Sequence, residues 1–315
     1  MIFLKPTIDI AFKKLFSNAE HINIVIGFIN SVLGKKEGEK VVTVIINNPN
    51  NFPKTENDKS SIVDVVCTDQ AGAQYIIEMQ VANQDFFIQR AQYYTACAFA
   101  NQLQKSERYC ELKPVIFIGV LGFNLFDSPD YLHHHYILDS KTYKRTLAHK
   151  EWHFIELKKF NKTIKELDNE VDQWIYFLKN AQTHDDIPQS LEKVKDIRDA
   201  FGVLERMKWD SAEYAVYWKL LDRARVAEDE RTTAERLGRE GGMAKGMAKG
   251  MQQGMQQGLQ QGMQQGMQQG LQQGLQKGME KGRQEKAEEM ALHMLRKNFD
   301  MQDIVEVSGL SVEAI

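Results

Sequence analysis

Asp64, Glu78 and Gln80 stand within two runs that are rich in apolar and β-branched residues, 62–68 and 74–81. A polar loop that contains a glycine separates the two runs. This pattern predicts a β-hairpin with a longer loop. Folding the hairpin about the middle of that loop sets Asp64 opposite Glu78, with the two Cβ atoms roughly 4.5–5.5 Å apart. Glu78 and Gln80 share one face of the second strand because side chains alternate along a strand.

The facing carboxylates of Asp64 and Glu78 predict a site for a divalent cation. Two like charges opposed in mid-strand repel each other, and this repulsion raises the pKa of one of them. A cation such as Mg²⁺ or Mn²⁺ removes that cost, because hard oxygen ligands are the ones that these ions bind. The alternative is a solvated outer face on which two acids happen to meet. Acids are depleted in strands, which favours the metal site.

The spacing D-x13-E-x-Q on a hairpin, followed by a helix, resembles the PD-(D/E)XK nuclease superfamily. More narrowly, the chain resembles the recombination-promoting nucleases, a group of nuclease-family transposases. The stretches that carry this narrower resemblance are IDIAFKKLF, QRAQYYTACAFANQL, PVIFIGVLGF, HHHYILD and WHFIELKKF, and they extend over about residues 1–180. The resemblance implies an α/β fold, with a restriction-endonuclease-like mixed β-sheet flanked by helices.

The resemblance also implies residue roles. Asp64, Glu78 and Gln80 would be catalytic, and Asp64, Glu78 and the backbone carbonyl of Met79 would hold Mg²⁺, or Mn²⁺ or Ca²⁺ in its place. Most of the superfamily has Lys where this sequence has Gln80. A glutamine is neutral and can only donate or accept hydrogen bonds. The resembled group commonly carries Gln there, so activity is still expected, with a second ion as one substitute for the missing charge.

Asp9 and Lys13 lie one turn apart on a helix predicted over residues 8–16, with Thr7 as its N-cap. Two interpretations of Asp9 stay open. It is either an acid at the helix N-terminus in an i,i+4 ion pair with Lys13, or a further metal ligand of the kind that the first helix often supplies in the superfamily.

Arg90 and Tyr93 lie near the start of a helix predicted over residues 85–104. A guanidinium fork matches phosphate oxygens, so Arg90 is a candidate phosphate ligand, with Tyr93 and Lys13 as further DNA contacts. A surface ion pair is the alternative for Arg90.

The nearly continuous apolar run 115–123 predicts a strand buried on both faces and parallel to the second hairpin strand, which makes a βαβ unit.

The run His133–His135 cannot converge on one ion, because consecutive strand residues point to opposite faces. An edge strand beside a loop is favoured instead. The remaining predicted elements are helices over 20–33, 172–180, 191–207 and 212–225, strands over 41–47, 134–138 and 152–157, and a loop over 48–60 near the DNA.

The net charge of −3 excludes a protein that is basic throughout, so DNA contacts require a local patch. The three cysteines form no CxxC pair, which argues against a zinc site or a disulfide framework and suits a reducing cytoplasm. The N-terminus has no signal-peptide pattern, and the longest apolar run is too short to span a membrane.

From Gly238 to Gly282 a glycine recurs every fourth residue, mostly as G-M-Q-Q or G-L-Q-Q. In an α-helix each glycine costs about 1 kcal/mol relative to alanine. A period of four also exceeds 3.6, so a Met/Leu stripe kept in register demands a right-handed supercoil. An isolated helix is therefore not expected. The segment is either a flexible spacer or a region where several copies associate, and self-association is favoured. Helices over 285–298 and 302–307 follow.

The chain thus divides into a nuclease core (1–160), a helical cap or dimerisation region (161–230), the repeat (231–284) and a helix-turn-helix-like end module (285–315) suited to docking. The predicted function is a metal-dependent DNA endonuclease, in recombination, mobile-element or defence biology. The alternative is a catalytically weak DNA-binding or self-assembling scaffold that acts through its repeat tail. A homo-oligomer is expected. Met codons within the repeat offer internal starts, so a short product of the same gene is a further candidate partner.

Overall fold

The structure is a computed structural model that describes residues 2–47, 63–82 and 85–315. The predicted loop over residues 48–60 lies outside these described residues. The chain forms two compact units, Met1–Arg231 and Thr232–Ile315. The six strands are β1 (Val44–Asn47), β2 (Val65–Asp69), β3 (Gln74–Gln80), β4 (Val115–Leu121), β5 (Leu132–Tyr136) and β6 (Lys150–Glu156).

The sheet is mixed, with the strand order β1-β2-β3-β4-β6-β5. The three central strands β3, β4 and β6 are parallel, and the other neighbours pair antiparallel. The helices are α1 (Asp9–Phe16), α2 (Ile22–Leu33), α3 (Phe87–Ala100), α4 (Glu170–Asn180), α5 (Gln189–Glu192), α6 (Lys195–Leu204), α7 (Ser211–Arg296) and α8 (Met301–Ser308). A mixed sheet flanked by helices confirms the predicted α/β class.

Two hydrophobic clusters bury the two faces of this sheet. On one face, helices α1, α2, α4 and α6 pack through aromatic contacts such as that of Phe28 with Trp174, whose ring centroids are 5.7 Å apart. On the other face, α3 covers the sheet through Phe87, which packs on Phe117 and Phe154. Every residue of β4 is buried. This confirms the predicted central strand and its βαβ crossover through α3.

The hairpin has the predicted register, with Thr68 opposite Gln74 and Val66 opposite Ile76. Its loop is closed by the Asp69 carboxylate, which accepts hydrogen bonds from two main-chain N–H groups of the loop. The strand β2 begins later than predicted, because the chain bends at Asp64. Alternation along a regular strand would place Val63 on the same face as Val65. Because of the bend, Val63 packs instead in the cluster on the α3 side.

Several helix ends differ from the predictions. The N-cap of α1 is Ile8, in an extended conformation and without a side-chain cap, so Thr7 does not cap this helix. Helix α2 does end at Gly34, as predicted, with a φ of 58° that favours glycine. The single helix predicted over 191–207 is divided into α5 and α6.

In the second unit, residues 232–315, the repeat is helical throughout as part of α7. The prediction that an isolated helix would not form there is wrong. Three of the four residues in most repeats are Gln, Met, Leu or Lys, all good helix formers, so their propensity offsets the cost of glycine. The Met and Leu side chains from Met243 to Met279 are 57–79% exposed. Helix α8 buries Ile304 and ends at Gly309.

Among the described residues, no helix is both long enough and apolar enough to cross a lipid bilayer.

Candidate active site

The candidate site is built where the start of the first hairpin strand meets the end of the second. The main-chain N–H of Asp64 donates to Oε2 of Glu78 at 3.0 Å. The main-chain N–H of Met79 donates in return to Oδ2 of Asp64 at 2.7 Å. Each carboxylate therefore accepts a hydrogen bond from the segment that carries the other. The predicted pairing of Asp64 with Glu78 across the hairpin is present in the structure.

The strand geometry also orients the backbone of Met79. The N–H of Gly122 donates to the carbonyl of Gln80 at 2.8 Å, so the Gln80 carbonyl points towards the chain that follows β4. Main-chain groups of successive strand residues point to opposite edges. The N–H and the carbonyl of Met79 therefore both point to the edge where Asp64 lies, which is the edge on which the carbonyl was expected to act as a ligand.

Burial raises the pKa of both carboxyl groups. Glu78 is only 5% exposed, and burial followed by the negative charge of Asp64 raises its pKa to about 8. Burial also raises the pKa of Asp64, against the opposing effects of its hydrogen bond from Met79 and the charge of Lys13. The buried carboxyl of Glu78 and the half-buried carboxyl of Asp64 repel each other when both are ionised, which favours the binding of a positive charge between them.

Lys13 joins helix α1 to this pair. Its Nζ lies 2.8 Å from Oδ1 of Asp9 and 3.6 Å from Oδ1 of Asp64. Burial alone would lower the pKa of Lys13, but the bonds and charges of Asp9 and Asp64 outweigh burial and raise this pKa. The ion pair expected for Asp9 is present, and it places Asp9 beside the site as well, with Lys13 between the two acids.

Gln80 connects the carboxylates to helix α3. Its Nε2 donates to Oε1 of Glu78 at 2.8 Å, and its Oε1 accepts from a guanidinium nitrogen of Arg90 at 3.4 Å. Arg90 is thus part of the site and not only a surface cation. Tyr93, also on α3, is 43% exposed.

Tyr94 belongs to the site but was missed from the sequence. Burial, and then the negative charge of Glu78, raises the pKa of its hydroxyl. Tyr94 is one turn beyond Arg90 on α3. Residues i and i+4 lie on the same helix face, so this spacing could have pointed to Tyr94 in place of Tyr93.

The oxygen donors fit Mg²⁺ in one specific way. Among the residues that the structure describes, no three or more His, Cys, Asp or Glu side chains are placed to hold a metal ion. Mg²⁺, however, is commonly bound through one or two carboxylates, with waters and substrate phosphates as its other ligands. Asp64, Glu78 and the Met79 carbonyl form such a two-carboxylate set, while the carboxylate of Asp9 is engaged with Lys13.

Comparison with known families places the chain in one of them. A family model described as "PD-(D/E)XK nuclease family transposase" matches residues 6–234. The chain belongs to this family. No match was found among curated proteins or among solved structures.

Membership of the PD-(D/E)XK nuclease family transposases indicates a nuclease- or transposase-type function with DNA as substrate. Nucleases of the PD-(D/E)XK superfamily are hydrolases that generally use divalent metals, typically Mg²⁺. The match extends past the resemblance seen over about residues 1–180, and includes helices α4 to α6 with the first part of α7.

A second buried acid, Glu156, was also missed from the sequence. It lies at the end of β6 and accepts hydrogen bonds from the main-chain N–H groups of Leu125 and Phe126. It also pairs with Nζ of Lys159 at 2.7 Å and with Nε2 of His133 at 2.8 Å. This network fixes the loop that follows β4. The i,i+3 spacing of Glu156 and Lys159 is the only sequence signal for it.

The histidine run of this family member lies on the edge strand β5, as predicted. Nδ1 of His134 is 2.6 Å from Nδ1 of the buried His153, whereas His133 and His135 pack on Phe126. The three rings do not converge on one point.

Proposed function

We propose that this protein is a metal-dependent DNA endonuclease. The observation that carries the proposal is the reciprocal hydrogen bonding of Asp64 and Glu78 through the main-chain N–H groups of Asp64 and Met79. It fixes the buried carboxylate of Glu78 beside the half-buried carboxylate of Asp64, with the cationic side chains of Lys13 and Arg90 on either side of them.

In this proposal the carboxylates of Asp64 and Glu78 and the carbonyl of Met79 hold Mg²⁺, with Mn²⁺ or Ca²⁺ as alternatives. When bound, the ion would polarise the scissile phosphate and lower the pKa of a water for in-line attack. Asp9 is a further ligand only if Lys13 leaves it, since the ammonium of Lys13 now lies 2.8 Å from its carboxylate.

The surrounding side chains would bind and orient the DNA. Arg90 presents a planar guanidinium that matches phosphate oxygens, and Lys13 contributes a second positive charge from α1. Tyr93, at the surface of α3, is available to a DNA strand. Gln80 uses one amide N–H on Glu78, which leaves a second N–H to orient the attacking water. A neutral group stabilises developing charge less than lysine does, so a modest rate is expected.

The test is nicking of supercoiled plasmid by the full-length protein, with Mg²⁺ or with EDTA. Asp64→Asn should abolish nicking, because an amide is a poor ligand for a hard cation. The asparagine oxygen can still accept the N–H of Met79, so the fold should remain. Asp127→Asn is the matched control: Asp127 is exposed and lies in the loop after β4.

Equal nicking by Asp64→Asn and the parent would contradict the assignment. Absence of nicking from the parent in Mg²⁺, Mn²⁺ and Ca²⁺ alike, with DNA still bound, would favour the catalytically weak scaffold. Target sequence choice, and a role in recombination, mobile elements or defence, are then separate questions for the active protein.

We also propose that the repeat segment of α7 mediates self-association into a homo-oligomer. The supporting observation is the continuous series of exposed Met and Leu side chains at a four-residue spacing. A second copy of the same chain has the same spacing, so its Met and Leu side chains match the series repeat by repeat. A short, internally initiated product that carries the repeat would associate in the same way.

Light scattering after size exclusion tests this proposal. The full-length protein should have a mass that is a multiple of the 36.3 kDa chain. A chain that ends at residue 237 should be monomeric. A monomeric full-length protein at micromolar concentration, or an oligomer that survives the truncation, would contradict it. A blot for a short product tests the internal start.

A further inference from the structure

A cavity of about 470 Å³ lies in the first unit, on the sheet face opposite Glu78 and Gln80. Its apolar walls include Met79 from β3 and Leu157 just after β6, with Leu178 from α4 and Leu221 from α7. Met79 shares the face of Ile77, whereas Glu78 points to the other side of the same strand. The cavity is therefore distinct from the candidate active site, although both contact β3.

The charged side chains around this cavity are mostly cationic. Three lysines and one arginine line it, namely Lys5, Lys158, Lys179 and Arg225, against a single carboxylate, Glu228. Glu228 lies 3.4 Å from Nζ of Lys158, and Nζ of Lys179 donates to the carbonyl of Phe160. These two lysines therefore already have acceptors.

Lys5 and Arg225 are in a different situation. Within the described part of the chain, no carboxylate lies at ion-pair distance from either side chain. Burial, and then the charge of Arg225, lowers the pKa of Lys5. Lys5 is half-buried and Arg225 is exposed. Two neighbouring cations without a paired carboxylate repel each other, and an anion bound between them would remove that repulsion.

The combination of apolar walls and converging charges is typical of small-molecule sites, which range from about 300 to 1,000 Å³. We propose that this cavity binds a small organic anion. Its carboxylate or phosphate group lies between Lys5 and Arg225, and its apolar or aromatic body packs against Leu157, Leu178 and Leu221.

Binding there has a consequence that rests on the proposed nuclease function. The ligand would touch the side chain of Met79, whose main-chain N–H holds the Asp64 carboxylate at 2.7 Å. The same residue thus contacts the ligand on one face of the sheet and the metal-binding acids at its edge. Occupancy of the cavity should change the rate of nicking.

Isothermal titration calorimetry of the full-length protein, without DNA or metal, tests the site. The probes are deoxyadenosine monophosphate, octanoate and inorganic phosphate. At least one of the two organic anions should bind with a Kd of about 1 mM or tighter, and at least tenfold more tightly than inorganic phosphate. Tighter binding of deoxyadenosine monophosphate would show that the cavity accepts a nucleobase, and tighter binding of octanoate that it accepts an alkyl chain.

Lys5→Met and Arg225→Gln should each weaken binding of that probe at least tenfold. Lys193→Met, which removes an exposed lysine elsewhere in the first unit, should leave it unchanged. Arg225 is exposed on α7, so its substitution tests the site even if Lys5→Met impairs folding. Ala224→Leu, which fills the cavity from α7, should abolish binding of the organic probe.

Three outcomes would overturn the proposal. Neither organic anion binds, or binding is the same in Arg225→Gln and the parent, or inorganic phosphate binds as tightly as the organic anion. Calorimetry does not depend on nicking, so an inactive protein that binds the probe would refute the proposed nuclease while this site stands.

Discussion

The main-chain N–H of Met79 donates to the carboxylate of Asp64 at 2.7 Å, and this bond ties the two halves of the metal-binding motif together. Because the bond comes from the backbone, only proline at position 79 would remove its donor. Asp64 therefore has two roles: its carboxylate accepts this hydrogen bond, and it is proposed to bind Mg²⁺.

The two roles of Asp64 can be measured apart. Asp64→Asn keeps an oxygen for the Met79 N–H, so its free energy of unfolding should stay within about 1 kcal/mol of the parent. Asp64→Ala leaves that N–H without its acceptor and should cost a further 1–3 kcal/mol, roughly. Urea denaturation measures both values. Equal stability of the two variants would show that the bond contributes nothing.

Glu78→Gln should increase stability while removing nicking. The folded-state pKa of Glu78 is raised to about 8 from 4.5, so the folded state holds its proton more tightly than the unfolded state. Its contribution to stability is therefore fully present below pH 4.5 and is lost as the pH rises towards 8. At pH 8 the substitution should add on the order of 2 kcal/mol to the free energy of unfolding.

Thermal unfolding of Glu78→Gln from pH 5 to pH 8.5 measures this effect, with Glu192→Gln, at a position near the end of α5, as control. The gain should grow with pH. A gain in stability that is constant with pH, or a loss of stability at pH 8, would show that burial does not raise the pKa of Glu78. Addition of Mg²⁺ should stabilise the parent and not Glu78→Gln.

Gln80→Lys tests the neutral third position of the motif. Nε2 of Gln80 is 2.8 Å from Glu78, so a lysine there would set an ammonium beside that carboxylate and lower its pKa. The acid limb of the pH–rate profile should move to lower pH by about one unit. Gln80→Met, which is similar in length but uncharged, removes the hydrogen bond that lowers the pKa of Glu78 and should move this limb to higher pH. An unchanged pH–rate profile in Gln80→Lys would show that the side chain at this position does not affect the pKa of Glu78.

Gly122→Ala should disturb the candidate active site by displacing the backbone that follows β3. A Cβ at Gly122 would lie 2.7 Å from the carbonyl oxygen of Val81, so the backbone after β3 must shift. A cost of about 2 kcal/mol is expected, together with reduced nicking. The control is Gly202→Ala inside α6, where the nearest atom is 3.5 Å away at the end of a lysine and helix propensity favours alanine. A neutral Gly122→Ala would contradict this close packing.

Alanine in the repeat tests how copies associate. A Cβ at Gly258, Gly262 or Gly266 would meet no atom within 4 Å in the single chain, so the triple alanine variant should increase helix content in circular dichroism. If the copies approach closely over the glycines, the same variant should lose its oligomeric mass. Retention of that mass would show that association does not need the glycines.

Local pattern was enough to predict the pairing of Asp64 with Glu78. Two-residue alternation and the position of the loop set the register of a hairpin, and both are properties of neighbouring residues. The same holds for β4, whose uninterrupted apolar run predicts a strand buried on both sides. Two expectations from local pattern failed because another local effect was stronger. The bend at Asp64 turns the Val63 side chain to the opposite face of the sheet. In the repeat, the helix propensity of the other residues outweighs the cost of the glycines.

The sequence by itself thus determined the hairpin, the central crossover and the two facing acids. Only the tertiary structure decided that Lys13 lies between Asp9 and Asp64, that Glu156 anchors the loop after β4, and that Lys5 and Arg225 converge on one cavity. The physical reason is distance along the chain. These contacts join elements that no periodicity relates, so they exist only once burial of the two faces of the sheet has fixed where the helices pack.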